Sequence, residues 1–410
     1  MKSAEAAMTR VMAMTHPADA VLSRFFREHA ALGARDRAFV AETVFGALRH
    51  YRLLEAGGAH SPRELVLGFL ARCAGRNLKE LEPMSAGERA IVASLKALRP
   101  DTLPPAVQAE LPDWLAERLR VAYGKTEMVA IGRGMQEPAP LDLRVNTLKA
   151  GRDGVLARLR EDGVACQPTP LSPVGIRVAG KPAVNQHPLF LEGAFEVQDE
   201  GSQLLGYLLA PRRGEMVVDF CAGAGGKTLH LGALMRSLGR LYALDVSGRR
   251  IAQFKPRLAR SGLSNVHPQR IDTENDARVK RLAAKMDRVL VDAPCSGSGT
   301  LRRNPDLKWR QSPESVAELT AKQAAILASA ARMLKPGGRL VYATCSLLPE
   351  ENEVIVEAFL ARNPGFSMIP AGEALQAQGI PVDPGAYLRL FPHRHGTDGF
   401  FAAALERAKG

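Results

Sequence analysis

Two cysteines lie where thiol chemistry is feasible, because each follows a short apolar run that reads as a buried strand. Cys295 stands in an Asp-Ala-Pro-Cys motif that begins at Asp292, and Cys345 stands in the motif Ala343-Thr-Cys-Ser346. A thiolate is a strong nucleophile when nearby groups lower its pKa. Strand ends that meet at one edge of a sheet would bring the two thiols and the carboxylate together.

A glycine-rich segment, Asp219-Phe-Cys-Ala-Gly-Ala-Gly-Gly-Lys-Thr228, lies between a predicted strand and a predicted helix. Its glycines allow the backbone to approach a ligand, and the next helix points its N-terminus at that ligand. Asp245 ends the following strand, where a carboxylate can accept both hydroxyls of a ribose. Asp272 ends the strand after that and can bond an adenine amino group. These features predict an adenosine pocket.

Part of this segment also resembles a phosphate-binding P-loop, since Gly226-Lys-Thr228 matches the end of that motif. The first glycine of a P-loop would fall at position 221, where the chain has Cys221, and Asp245 would have no role. We therefore favour adenosine. A P-loop and a glycine turn without a ligand are the alternatives.

Thiols beside an adenosine pocket suit methylation of a pyrimidine at C5. Cytosine C5 is a poor nucleophile until a thiolate adds to C6, after which C5 can attack the methyl group of S-adenosylmethionine. An acid near N3 stabilises the charge that develops, and Asp292 suits that task. The spacing alone does not decide whether Cys295 or Cys345 attacks.

The elements around these residues predict three parts. Residues 1–125 have apolar residues at helical spacing, such as Val40, Val44 and Leu48, and a capping-box spacing from Ser85 to Glu88. Residues 126–198 combine a glycine- and proline-rich linker (126–140) with a small α+β piece. Residues 199–410 alternate short apolar strands with helices, which predicts a parallel, doubly wound α/β sheet.

The composition is that of a globular protein: 46% of the 410 residues are hydrophobic and 24% are charged. The net charge is +12, of which +9 falls in residues 128–410, which suits a polyanionic partner. The N-terminal residues do not resemble a signal peptide, no apolar run reaches the ~18 residues of a membrane span, and cysteines are few. We expect a cytoplasmic monomer. His393 and His395 lack further ligands, so we expect no metal.

The sequence resembles the RNA 5-methylcytosine methyltransferases of the Sun/Fmu type over most of its length. The resemblance is densest in five segments: Phe195-Glu-Val-Gln-Asp-Glu-Gly-Ser-Gln-Leu204, Cys221–Thr228, Asp292–Gly299, Arg302–Trp309 and Tyr342–Asn352. Residues 1–125 are similar to the NusB-like helical domain of the bacterial 16S ribosomal RNA branch. The resemblance implies a Rossmann-like class I methyltransferase sheet domain, preceded by that helical domain and by a small α+β RNA-binding subdomain.

The resemblance also implies roles for particular residues. Cys345 would be the nucleophile, Cys295 would assist product release, and Asp292 would serve both catalysis and cofactor binding. S-adenosyl-L-methionine would be bound by Cys221, Ala222, Gly223, Ala224, Gly225, Gly226, Lys227, Asp245, Asp272 and Asp292. The family loop commonly reads Cys-Ala-Ala-Pro-Gly-Gly-Lys, so Gly223 and Ala224 are departures that predict a more flexible loop.

The implied substrate is RNA, and small-subunit ribosomal RNA is favoured by the helical domain. Transfer RNA, another ribosomal site and a catalytically silent assembly factor are the alternatives, and methylation of DNA would make Cys295 the nucleophile. Basic and polar residues expected to contact RNA are Arg144, Asn146, Arg302, Arg303 and Lys308. For the last three, a solvated basic loop is the competing interpretation.

Overall fold

The computed structural model describes residues 1–180, 182–383 and 385–409. Its helices are α1 (Lys2–Val11), α2 (Ala18–Glu28), α3 (Ala34–Arg49), α4 (Tyr51–Ala56), α5 (Pro62–Gly68), α6 (Ala86–Ala97), α7 (Pro105–Gln108), α8 (Asp113–Tyr123), α9 (Lys125–Gln136), α10 (Arg152–Glu161), α11 (Pro188–Leu191), α12 (Glu200–Leu209), α13 (Gly226–Leu234), α14 (Gly248–Ser261), α15 (Ala277–Lys280), α16 (Leu307–Arg310), α17 (Pro313–Met333), α18 (Glu353–Arg362), α19 (Ala371–Gln376) and α20 (Pro392–His395).

The strands are β1 (Leu141–Val145), β2 (Cys166–Pro168), β3 (Gly175–Val178), β4 (Phe195–Val197), β5 (Met216–Asp219), β6 (Arg240–Asp245), β7 (Val266–Arg270), β8 (Met286–Asp292), β9 (Leu334–Thr344), β10 (Phe366–Ile369), β11 (Leu388–Leu390) and β12 (Phe400–Arg407). The chain divides into two compact units. The first contains Met1–Pro138 with Thr300–Ser315, and the second contains Ala139–Gly299 with Val316–Gly410. Within the described ranges, no helix has the length and apolarity needed to cross a membrane.

The first unit is helical, as the sequence predicts, and its apolar stripes meet in one core. Val40, Val44 and Leu48 of α3 are buried there together with residues of α1, α2 and α5. Ser85 caps α6 in a capping box with Glu88, which confirms the predicted helix start.

The predicted linker at 126–140 is mostly a helix, α9. Its glycines serve packing rather than flexibility: a Cβ on Gly132 would lie 2.4 Å from the carbonyl oxygen of Ala109, so only glycine allows this close approach. The first unit therefore extends past residue 125 to Pro138.

A segment distant in sequence, Thr300–Ser315, completes the first unit. The carboxylate of Asp306 accepts a hydrogen bond from the backbone N–H of Ala18 (3.1 Å) at the start of α2. The rings of Trp309 and Tyr51 pack with their centroids 4.9 Å apart. The chain after the Cys295 loop therefore belongs to the helical unit, which the sequence analysis does not predict.

The second unit contains a small antiparallel sheet in the order β2-β3-β1-β4 and a larger sheet in the order β10-β12-β9-β8-β5-β6-β7, with β11 paired to β12. Strands β5 to β9 of the larger sheet pair in parallel, as predicted, whereas β10, β11 and β12 pair antiparallel. Successive residues of a strand, such as Val217 and Val218, enter different cores, so both faces of the sheet are covered.

Strand β5 has β6 on one side and β8 on the other, so the winding of the chain reverses there. Ligands of open α/β sheets bind in the crevice at such a point, outside the carboxyl ends of the strands. The loops after β5, β6, β8 and β9 carry the residues whose spacing predicted chemistry.

Candidate active site

The glycine loop turns sharply between β5 and α13. Gly223 and Gly225 have φ angles of +56° and +81°, in the left-handed region that glycine adopts without strain. A Cβ on Gly225 would also lie 2.0 Å from the ring of Phe254. Gly223, one of the two departures from the family loop, thus occupies a conformation that Ala would adopt only with strain.

Asp245, at the end of β6, is buried and holds this loop. Its Oδ2 atom accepts a hydrogen bond from Gly223 N (2.8 Å), and its Oδ1 atom accepts one from Ser247 N (2.7 Å). A carboxylate has about four acceptor positions, so acceptor capacity remains for a diol. Asp245 lines the cavity described next, and its predicted binding of two ribose hydroxyls stays a prediction.

A cavity of about 640 Å³ opens between these loops. Every predicted cofactor residue except Gly225 and Asp272 lines it, and so do both cysteines. Gly225 does not line the cavity and packs instead against the ring of Phe254. Asp272 does not reach the cavity: its side chain is 76% exposed and lies 3.6 Å from Arg270.

Other lining residues were not predicted to have a role. They include Gln198, Val246, Arg250, Arg257, Ile271, Glu274, Lys322 and Ile326. Ile271 and Glu274 replace Asp272 on the wall that follows β7. Gln198 lies inside a segment that carries the family resemblance, which is the signal that could have identified it.

The two predicted reactive cysteines lie side by side. The Sγ atoms of Cys295 and Cys345 are 3.4 Å apart, near the starts of the loops that follow β8 and β9. The hydrogen bond to Cys345 raises the pKa of Cys295 well above its ordinary value, and burial and the charges of Cys345 and Glu351 act in the same direction. Cys295 therefore keeps its proton more firmly than an ordinary thiol.

Asp292, at the end of β8, pairs with Lys227 of the glycine loop at a distance of 2.6 Å. Burial alone would lower the pKa of Lys227, but the charge and hydrogen bond of Asp292 outweigh it and raise that pKa. The ammonium also lies 5.7 Å from the centre of the Phe400 ring. The acid predicted near the reacting base is thus one half of an ion pair in the cavity wall.

A further carboxylate, Asp219, is fully buried at the end of β5. Burial raises its pKa to about 7, even though its hydrogen bond from Thr228 acts in the opposite direction. The Thr228 hydroxyl donates to Oδ2 at 2.7 Å, which ties the start of α13 to the strand. No role for Asp219 is predicted from the sequence.

Two of the predicted RNA contacts are buried inside the second unit. Arg144 is 1% exposed and donates to Gln198 and to the carbonyl oxygen of Gly226. The Asn146 amide donates to the carbonyl oxygens of Gly193 (3.0 Å) and Ser261 (2.9 Å). Both side chains are buried and form hydrogen bonds within the protein, to the start of α13 and the end of α14 among others. The prediction that they contact phosphates is therefore wrong.

The same correction applies to two residues of the segment Thr300–Ser315. Lys308 is 4% exposed, and its ammonium donates to the carbonyl oxygens of Glu110 (2.6 Å) and Arg49 (3.1 Å). Arg302 is also 4% exposed. Both belong to the packing of the helical unit, whereas Arg303 is exposed and its predicted RNA contact stays a prediction.

The predicted absence of a metal site at His393 and His395 stays a prediction. The His395 ring accepts a hydrogen bond from the backbone N–H of Phe391 (2.9 Å). Across the described part of the chain, no group of three or more His, Cys, Asp or Glu side chains is arranged to hold a metal ion.

Comparison with known sequences identifies the family. The family described as 16S rRNA methyltransferase RsmB/F matches residues 206–406, and the RsmF/B-like ferredoxin-like domain matches residues 111–185. A probable ribosomal RNA small subunit methyltransferase B of Synechocystis sp. is 36% identical over 87% of this chain and 77% of its own length. The Bacillus subtilis protein of the same name is 32% identical, over 79% of this chain and 72% of its own.

The chain belongs to the RsmB/F family of 16S ribosomal RNA methyltransferases. A crystal structure of a protein named PH0851 matches with a TM-score of 0.80 and 29% identity, over 98% of this chain and 97% of that one. A methyltransferase homolog from Pyrococcus horikoshii matches with a TM-score of 0.64 and 30% identity, over 76% of this chain and all of that one. The predicted family, the Rossmann-like fold and S-adenosylmethionine as cofactor are confirmed.

Proposed function

We propose that this RsmB/F family member methylates C5 of a cytosine in small-subunit ribosomal RNA, through a covalent bond between Cys345 Sγ and C6. The observation that carries the proposal is the pair of thiols, 3.4 Å apart, in the wall of a cavity that also contains Asp245 and Asp292. A pure RNA-binding protein has no use for two adjacent thiols beside an adenosine pocket.

The cavity fits the cofactor. Asp245 offers its remaining acceptor positions to the ribose, and Val246 and Ile271 offer apolar surface beside it. The N-terminus of α13, at Gly226, suits the carboxylate of the methionine part. When bound, S-adenosylmethionine supplies an electrophilic methyl group. The chain's residues must hold that group beside the cytosine and activate C5.

Activation begins at Cys345. Its thiolate forms a bond to C6. The electron pair of the 5,6 double bond then shifts to the C4–C5 bond, and the pair of the 3,4 double bond shifts to N3, which takes up a proton. The ammonium of Lys227, paired with Asp292 in the cavity wall, is the proton donor within this pair and can donate to N3 as negative charge develops there. C5 is then enamine-like and would take the methyl group as the methyl carbon–sulfur bond breaks, with S-adenosylhomocysteine as the departing thioether.

Release requires loss of the C5 proton to water and cleavage of the C6–Sγ bond, which returns the thiolate of Cys345. The N3 proton returns to the Lys227–Asp292 pair. Cys295 lies 3.4 Å from the leaving sulfur and holds its own proton, so its S–H group can donate a hydrogen bond to that sulfur as it departs. This is the assistance to product release that the family resemblance implies.

The substrate is inferred from the relatives, which are named as ribosomal RNA small subunit methyltransferases B. A cytosine within a duplex cannot present C6 to a thiol in a cavity wall, so the base must leave its stack. Arg303, which is exposed in the first unit, is a candidate for contacting the RNA.

The test is methyl transfer from labelled S-adenosylmethionine to unmodified small-subunit ribosomal RNA, with transfer RNA and DNA as comparison substrates. Wild type should label ribosomal RNA at C5 of cytosine. Cys345→Ala should bind cofactor but transfer no methyl group, and Cys295→Ala should leave a protein–RNA species on denaturing gels. Transfer by Cys345→Ala with loss in Cys295→Ala would contradict the assignment of the nucleophile.

A further inference from the structure

A buried carboxylate lies beneath both cysteine loops. Glu351, which follows β9 in a short 3-10 helix, is fully buried. Its Oε2 atom accepts hydrogen bonds from the hydroxyls of Ser296 and Ser346. Each serine directly follows one of the reactive cysteines in the sequence. The single Oε2 atom of Glu351 therefore connects the two loops one residue after each thiol.

The other oxygen of Glu351 ties the same loops to α17. Oε1 accepts from the backbone N–H of Ser296 (2.8 Å) and from the side-chain amide of Gln323 (2.9 Å). The Gln323 amide also donates to the carbonyl oxygen of Pro294, at 2.9 Å. The residues on both sides of Cys295 are therefore held by this network.

Glu351 is itself held in place by its neighbours. The hydroxyl of Tyr342, on β9, donates to the Glu351 carbonyl oxygen at 2.7 Å. The next residue, Asn352, donates to the carbonyl oxygen of Ser346 (2.9 Å) and accepts from the hydroxyl of Thr344. A fixed carboxylate can define where two loops stand relative to each other, whereas a mobile one cannot.

We propose that Glu351 is a positioning residue, whose bridge between Ser296 and Ser346 holds the two thiols side by side. The inference rests on the proposed function, because thiol proximity matters only if Cys295 assists the release of Cys345 from the base. Glu351 lies outside the lining of the cofactor cavity. Its contribution should therefore appear in turnover and not in cofactor affinity.

Two substitutions separate the reach of the side chain from its charge. Glu351→Asp keeps the charge but is one methylene shorter, so it cannot bond both loops at once. Glu351→Gln keeps the length, and its amide group can donate to hydroxyls that accept as well as donate. Glu353→Asp is the matched control, since Glu353 lies two residues away and pairs instead with Arg389 (2.7 Å).

The first measurement needs neither RNA nor cofactor. Diamide oxidises two adjacent thiols to a disulfide and takes up their two hydrogens, so the rate at which Cys295 and Cys345 cross-link reports their proximity. We expect Glu351→Asp to cross-link about tenfold more slowly than wild type, and Glu351→Gln and Glu353→Asp to stay within about threefold. These figures are on the scale of modest misplacement in a packed site.

The second measurement separates binding from turnover. For Glu351→Asp we expect a kcat about 100-fold lower, the scale of a displacement of about 1 Å, with accumulated protein–RNA adduct and unchanged cofactor Kd. Wild-type cross-linking and turnover in Glu351→Asp would overturn the proposal. Losses in Glu351→Gln that exceed those in Glu351→Asp would also overturn it, because charge rather than reach would then be responsible.

A double-mutant cycle covers the case in which Glu351→Asp does not fold. Ser296→Ala and Ser346→Ala each remove one arm of the bridge, so their effects on cross-linking should be strongly non-additive. Additive effects would overturn the proposal. If wild type cross-links as expected but methylates no RNA, the proposed function fails while the positioning role of Glu351 in thiol proximity stands.

Discussion

Asp245 and Asp272 end neighbouring strands, and both were predicted from the sequence to bind the adenosine part of the cofactor. The structure separates them: Asp245 is buried in the cavity wall, whereas the Asp272 side chain is 76% exposed outside it. The pair Asp245→Asn and Asp272→Asn therefore tests the geometry directly. Each substitution removes one charge and preserves shape.

The expected magnitude follows from the contacts of Asp245. A hydrogen bond to a charged group contributes about 1.5–3 kcal/mol, against about 0.5–1.5 for a neutral one. The hydrogen bonds from the two ribose hydroxyls would each contribute about 1 kcal/mol less to binding, which raises the cofactor Kd about 30-fold. The new amide N–H group would also face Gly223 N or Ser247 N, so the unfolding free energy should fall by about 1–3 kcal/mol.

Calorimetric titration with S-adenosylhomocysteine measures the Kd, and urea unfolding measures the stability. Asp272→Asn should leave both within experimental error of wild type. If Asp272→Asn weakens binding more than Asp245→Asn does, Asp272 and not Asp245 binds the adenosine part, and the position of Asp272 outside the cavity is refuted. A Kd for Asp245→Asn within threefold of wild type would equally refute the ribose assignment.

Three further outcomes follow from the helical unit. Lys308→Met should leave the salt dependence of RNA binding unchanged. Arg303→Ala should reduce the slope of the logarithm of the binding constant against the logarithm of the salt concentration by about 1, the value for one lost phosphate contact. Burial lowers the pKa of Lys308 to about 8. Because this is below the ~10.4 of an unfolded chain, the unfolding free energy should rise by up to about 3 kcal/mol from pH 8 to 10.5, and urea unfolding of Lys308→Met should lack that rise. Gly132→Ala should lower the unfolding free energy by about 1–3 kcal/mol, because the new Cβ meets the backbone of Ala109. As a control in the second unit, Gly154→Ala in α10, with open space around it, should be neutral or slightly stabilising in the same assay.

Periodicity and strand-end chemistry were enough to predict most of the sheet and the centre of the site. The strands that lead to Asp245, Asp292 and Cys345 end at or within one residue of where the apolar runs stop. These predictions succeed because a strand with both faces covered must be apolar throughout, and its end is visible as the first polar or small residue.

The predictions that failed concern side-chain direction and contacts between residues distant in sequence. Lys308 reads as a surface residue because its acceptors, the carbonyl oxygens of Arg49 and Glu110, are backbone atoms that carry no sequence signal. Gly132 reads as part of a linker for the same reason, since the backbone that requires its missing Cβ is that of Ala109. Burial of a polar or small residue by main-chain atoms cannot be read from residue types.

The surroundings of Cys295 bear on which of the two neighbouring thiols attacks. The hydrogen bond to Cys345, burial and the charges of Cys345 and Glu351 all raise the pKa of Cys295. A thiol that keeps its proton is the poorer nucleophile at neutral pH and the better hydrogen-bond donor to an adjacent sulfur. The family resemblance assigns the attack to Cys345 without giving a reason. The surroundings of Cys295 supply one, because exchanging the roles would require Cys295, which is half-buried, to ionise close to the Glu351 carboxylate.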